Sequence, residues 1–142
     1  MVLAAATALP EGAEEVSVGG FNLYVGPLYR LPDGEDGALK RFAFMAAEKH
    51  MNSVGSVHGG MLMAFMDVAM SRTSRLVSGA ARCSTVSLSV DFVSPGRLGD
   101  LIEARIRSPR QTRTMVFLTG ELVAADRTLI TANGLWKVAG VP

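Results

Sequence analysis

Cysteine is nearly absent from this chain. A single Cys83 among 142 residues excludes an internal disulfide and a cysteine zinc cluster, and it makes a reducing compartment the expected setting. Histidine is almost as scarce, with only His50 and His58, so soft metal ligands are too few in sequence proximity and no metal is expected. No uncharged apolar run approaches the ~20 residues that span a bilayer. Residues 1–10 are apolar and Ala-rich, but no base precedes them and Glu11, Glu14 and Glu15 follow, unlike a secretory or Arg-rich transit segment. The expectation is a cytoplasmic protein that engages no membrane.

Charge is thin as well. Only 19% of residues are charged, against about 25% in an average soluble domain, which points to surface covered by another subunit. The formal charge of +1 supplies no field for a polyanion, so nucleic acid is not an expected partner. The balance is uneven: residues 1–36 carry one base and six acids, residues 37–82 six and two, and residues 83–142 seven and five. An anionic ligand would look to the last two thirds. Two catalytic signatures are also missing. There is no Gly-x-Ser-x-Gly, Ser56 stands too close to His58 for a nucleophile elbow, and no glycine-rich phosphate loop carries a lysine.

What the chain has is apolar pattern. At 49% hydrophobic, a chain of this length makes one domain and buries roughly two thirds of its unfolded surface. Residues 1–14 read as a loose N-terminal arm and residues 15–142 as a single domain. Residues 16–31 mix Val, Phe, Leu and Tyr with Gly19, Gly20 and Gly26, the pattern of a broken strand. A turn over residues 32–37 precedes a short strand with Phe42 and Phe44 on one face. Residues 60 to about 76 form the one strong helix candidate, apolar on all sides as a buried helix is. Beyond Gly79 the period falls to two. Val86, Leu88, Val90 and Phe92 alternate with polar residues, and three more strands follow over residues 101–108, 112–124 and 128–138. Strands segregated from one helix predict an α+β fold, in which an antiparallel sheet of five to six strands covers the helix.

Asp67 is the only charged residue between Lys49 and Arg72. A carboxylate in the apolar stretch 61–70 costs several kcal/mol unless it is hydrogen-bonded, solvated or protonated. It is either a structural acid on a wet strip of the helix or a catalytic one, and perturbed acids mark function only statistically. Gly59 and Gly60 precede the helix and let its free first-turn amides approach an oxyanion. Eight residues separate Gly59 from Asp67, about 12 Å along one helix. An attacking oxygen held by Asp67 must reach a carbonyl carbon whose oxygen lies ~3 Å from the donor amide. One chain cannot place both on one carbonyl, so a shared site needs two subunits. Thr85 is a weaker candidate for orienting a water. Among the five arginines from Arg97 to Arg113, some could meet phosphate groups of a ligand such as coenzyme A, though solvated strand faces look similar.

The run His50-Met51-Asn52, Gly55, Val57-His58-Gly59-Gly60 and then Asp67 resembles the motif of hotdog-fold acyl-CoA thioesterases of the phenylacetate-degradation type. The likeness extends through residues 90–95, Gly99-Asp100 and Trp136, and covers roughly residues 20–138. It implies a long central helix wrapped by the sheet, assembled as a dimer or a dimer of dimers. It also implies metal-independent hydrolysis of an acyl-CoA substrate, with coenzyme A entering only as part of that substrate and no resident cofactor. By position, Gly59 would donate its N–H to the thioester oxygen and Asp67 of the partner would act as base or nucleophile. Asn52 and His58 would shape the pocket, and Thr85 falls where relatives carry a small hydroxyl residue, although strict alternation sets it opposite a core-facing Val86. Gly60 and Arg97 are the candidate coenzyme A contacts. The bend between Ala124 and Thr128 lacks the Asp-Gly of many relatives. The competing reading is a non-catalytic acyl-CoA binding module built on the same cleft. A hotdog dehydratase is a third, disfavoured because its helix should carry a different arrangement of acid and histidine.

Overall fold

A computed structural model of the protein describes residues 8–34 and 36–141. Its elements are β1 (Glu14–Glu15), α1 (Gly20–Val25), β2 (Tyr29–Leu31), β3 (Lys40–Met45), a 3-10 turn (Glu48–His50), α2 (Gly59–Ser78), β4 (Arg82–Phe92), β5 (Leu101–Gln111), β6 (Met115–Ala124) and β7 (Arg127–Ala139). The strands form one antiparallel sheet in the order β1-β2-β3-β5-β6-β7-β4. Seven strands replace the expected five to six, because two short strands, β1 and β2, extend one edge. Of the arm expected over residues 1–14, residues 1–7 lie outside the described residues and Glu14 joins β1. Residues 16–31 are not one broken strand. Val16 N–H donates to Leu28 O at 2.8 Å and Leu28 N–H to the Ser17 hydroxyl at 2.9 Å. Those bonds pinch the segment into a loop, and α1 forms at its tip with no buried residue.

Helix α2 lies in the curve of the sheet. Met61, Leu62, Phe65, Met66, Ala69 and Met70 are buried against Phe42, Phe44, Ile102, Ile106, Leu118 and Leu122. The Phe44 and Phe65 rings meet edge to face at 4.7 Å, a geometry the aromatic quadrupole favours. Trp136 of β7 is fully buried and satisfies its indole N–H on the Ser71 hydroxyl at 2.9 Å. The helix starts at His58, whose ring caps it, and stops at Gly79, whose φ of 74° takes the left-handed conformation that ends helices. It is not buried all round. Ala64, Asp67, Val68 and Ser71 are half-buried on one side, a strip where Thr85 and Trp136 of the sheet bond Asp67 and Ser71 but leave these side chains partly exposed.

β4 departs from its simple alternation. Its pairing with β7 shifts register between Thr85 and Ser87, a bulge that reverses which side each residue faces. After it Leu88 and Val90 turn inward as the pattern predicts. Before it Cys83 and Thr85 face the helix, and Val86, expected in the core, is 55% exposed. Trp136 and Leu135 lie opposite the bulge, and Gly134 pairs with Leu88 just after it. A Cβ there would come within 2.5 Å of Ser87 O and 2.6 Å of the Trp136 ring.

Candidate active site

The loop ahead of α2 is tied by Asn52. Its Oδ1 accepts the N–H groups of Val54 and Ser56 at 3.0 Å, and its Nδ2 donates to the Ser56 hydroxyl at 2.9 Å. Gly55, with φ of 89°, closes the turn in a conformation other residues adopt at a cost. His50 braces the loop from below. Its buried ring accepts the Ala47 N–H at Nδ1 (2.9 Å), so the proton sits on Nε2, which donates to Val25 O at 2.6 Å. His50 O then receives the His58 N–H at 2.8 Å. The two histidines of the motif therefore act in series, one holding the backbone of the other.

The first turn of α2 leaves one amide open. Gly60 N–H donates to His58 Nδ1 at 2.8 Å, and the N–H groups of Met61 and Leu62 both donate to His58 O. Gly59 N–H has no partner among the described residues. Gly60 is thus committed to the cap rather than free for a ligand, and a Cβ on it would lie 2.9 Å from the His58 ring. At Gly59 a Cβ would meet the Phe92 ring at 3.1 Å. Phe92, at the far end of β4, lies against Gly59. Its position after the bulge, on the helix-facing parity of Leu88 and Val90, is the signal that finds it.

Asp67 stands two turns further along the same helix. Thr85 Oγ1 donates to its Oδ1 at 2.6 Å, leaving Oδ2 without a protein partner among the described residues. The bulge at Val86 is what aims Thr85 at the helix, against the alternation that set its reach in question. Within one chain the site residues fall into two groups: Asn52, His58, Gly59 and Gly60 at the helix start, and Asp67 with Thr85 in its middle. The helix between them is continuous, so about 12 Å of rise separates Gly59 from Asp67. Arg97 belongs to the first group, since Gly96 O accepts the Val57 N–H at 2.8 Å. Its side chain is exposed, while its backbone N–H donates to Asp100 Oδ2 at 2.8 Å. Arg105 is instead engaged by Glu103 on the sheet. Among the described residues no three His, Cys, Asp or Glu side chains gather to hold a metal, and no helix is long and apolar enough to cross a membrane.

An open amide at a helix start and a half-free carboxylate are the parts of an acyl-transfer site, one to polarise a carbonyl and one to deliver or be the attacking oxygen. Comparison with known proteins gives the same family. The thioesterase superfamily model matches residues 54–131. The chain belongs to the thioesterase superfamily. Within it, acyl-coenzyme A thioesterase 13 of Homo sapiens is 26% identical over 88 residues, covering 56% of this chain and 63% of that protein. A phenylacetic acid degradation-related protein of Ralstonia eutropha JMP134 is 31% identical over 77% of this chain and 83% of its own, with a TM-score of 0.66. The smu.793 protein of Streptococcus mutans, solved with acetyl CoA bound, shares the fold at a TM-score of 0.69 and 19% identity, over 82% of this chain and 92% of its own. The helix and sheet described above are the hotdog fold of the thioesterase superfamily, and thioester hydrolysis is that family's reaction class.

Proposed function

We propose that the chain hydrolyses the thioester of an aryl- or acyl-coenzyme A to the free acid and coenzyme A, at a site shared by two copies. The observation that carries this reading is the pair of unfilled valences on one rigid helix, the Gly59 N–H and Asp67 Oδ2, too far apart to serve one carbonyl from a single chain. The Gly59 N–H of one copy receives the thioester oxygen. Asp67 of the other takes a proton from the attacking water, or attacks the carbon itself. The C–S bond breaks: with Asp67 as base, the departing thiolate takes up the proton drawn from the water; with Asp67 as nucleophile, an acyl-aspartyl anhydride forms, and the water that then cleaves it releases the free acid, restores the carboxylate and supplies the thiolate's proton. No resident metal or cofactor enters the scheme. Thr85 orients Asp67, His58 and Asn52 hold the amide in place, and Arg97, exposed beside the helix start, is the candidate contact for coenzyme A phosphate.

The outer edge of β4 supplies the route to two copies. Among the described residues it pairs with β7 alone, and it carries Val86 and Phe92 at 55% and 57% exposure, with Val93 just beyond it at 59%, an unprotected edge that invites another strand. Antiparallel pairing of two β4 strands about a two-fold axis near Leu88 and Ser89 sets Thr85 against the partner's Phe92. The Asp67–Thr85 pair then meets the partner's Gly59. A free Cys83 fits a cytoplasmic setting. Incubation with phenylacetyl-CoA and a series of fatty acyl-CoA substrates, followed by free-thiol release, tests the reading. Turnover is expected, and Asp67→Asn should lower it at least ~100-fold. Saturable binding of every substrate without thiol release rejects hydrolysis and marks a sensing module.

A further inference from the structure

At the C-terminal end of α2, beside β2 and β3, Arg30 of β2 and Arg72 and Arg75 of α2 converge on a cavity of about 390 Å3. Arg72 stands about 140° around the helix from Asp67, so the cavity opens on a different face from the Asp67–Thr85 pair. Its remaining wall comes from Phe42, Leu76, Gly79 and Ala80, and Leu76 is 42% exposed. Arg30 is paired with Asp33 at 3.2 Å. Among the described residues no carboxylate lies within ion-pair distance of Arg72 or Arg75. Arg72 is nevertheless fixed, because one of its terminal nitrogens donates to Val16 O. Its other donors have no protein partner among the described residues. Burial first, then the charges of Arg75 and Arg30, pull the Arg72 pKa down. Like charges therefore crowd one partly buried space with no described acid at Arg72 or Arg75 to offset them.

We infer that this cavity is a binding site for an organic oxyanion, a carboxylate or phosphate carried on an apolar group. The oxyanion lies between Arg72 and Arg75, and the apolar group lies against Leu76 and Ala80. A guanidinium fork matches the geometry of either headgroup, and a charge-assisted bond in a partly buried site is stronger than one in water. The volume falls at the low end of the roughly 300–1,000 Å3 of small-molecule sites, more room than a bare ion uses, and the exposed leucine gives the remainder an apolar surface to cover. The site depends on no step of hydrolysis, so its test stands apart from activity.

The test is a titration of the full chain followed by the arginine Nε–Hε resonances of Arg72 and Arg75 and the methyls of Leu76. Octanoate, hexyl phosphate and inorganic phosphate are the probes. Saturable shifts are expected with the two organic anions, and the tighter of them identifies the preferred headgroup. Inorganic phosphate should bind at least ~10-fold more weakly than hexyl phosphate, and Leu76→Ser should close that gap. Arg75→Gln should weaken both organic anions at least ~10-fold. Arg75 has no internal side-chain bond among those described, so this variant should keep the wild-type fold, read by circular dichroism. Absence of saturable shifts at either arginine, unchanged binding in Arg75→Gln, or inorganic phosphate binding as tightly as hexyl phosphate would overturn the inference.

Discussion

Thr85 donates a hydrogen bond from its hydroxyl to Asp67 Oδ1 at 2.6 Å, and it can do so only because β4 is bulged between Thr85 and Ser87. Remove the bulge and Thr85 would point away from α2, with Val86 in its place. Thr85→Val keeps the shape and removes the donor, so Asp67 loses its fixed orientation. Turnover is expected to fall ~10–100-fold, mostly in kcat, and Thr85→Ser is expected to restore most of it. Equal activity in Thr85→Val and wild type would leave the hydroxyl without a role.

The parts of the site that rest on local chemistry are legible in the sequence. Asp67 is a charge inside an apolar helix, Gly59 and Gly60 are glycines where a helix begins, and the alternation of Ile102, Ala104 and Ile106 marks a strand whose inward residues are fully buried. Features set by distant partners are not. The bulge that aims Thr85 is set by the pairing of β4 with β7, far along the chain. The loop that carries α1 is closed by the Val16 N–H donating to Leu28 O and the Leu28 N–H donating to the Ser17 hydroxyl, which no local pattern announces. Phe92 gains its place over Gly59 only when β4 is laid against the helix.

Glu103 lies nearly buried between Arg41 and Arg105. Burial raises its pKa, but hydrogen bonds from both arginines and their charges outweigh that and hold the folded value below the ordinary 4.5. A depressed carboxylate pKa stabilises the fold above the unfolded value, and the contribution is lost as pH falls through the folded one. Glu103→Gln should therefore cost about 1–3 kcal/mol at pH 7. The difference should narrow steadily from about pH 5 downward. Urea unfolding of both proteins at pH 7 and pH 3 checks this, and an equal gap at the two pH values rejects it.

The turn between β6 and β7 places Ala125 at φ of 53°, the one non-glycine residue with positive φ among those described. This is the bend that lacks the Asp-Gly expected of relatives. A Cβ in the left-handed region costs roughly 1–2 kcal/mol, so Ala125→Gly is expected to stabilise the fold by about 0.5–1 kcal/mol after the added chain entropy of glycine. A thermal midpoint unchanged or lowered in Ala125→Gly would show that the turn relaxes its strain in another way.

Subunit sharing is the most exposed part of the proposed mechanism. Each copy holds Gly59 and Asp67 about 12 Å apart on one unbroken helix, so in that proposal every site draws one of them from each copy. Gly59→Pro removes the donor N–H, and the first position of a helix is where proline is best tolerated. The preceding His58 has φ of −59° and ψ of 132°, an extended conformation compatible with a following proline. The added carbons press on the Phe92 ring, which is 57% exposed and has room to shift. Gly59→Ala adds the same Cβ and keeps the N–H, so it should retain far more activity than Gly59→Pro. Homodimers of Gly59→Pro and of Asp67→Asn each damage both of their sites. A mixed dimer concentrates both lesions in one site and leaves the other whole. Refolding the two variants together should therefore recover activity in proportion to the heterodimer counted by native mass spectrometry, toward half the wild-type rate per heterodimer. Heterodimers without activity, from variants whose Gly59→Ala control is active, would place donor and carboxylate in one chain and reject the shared site.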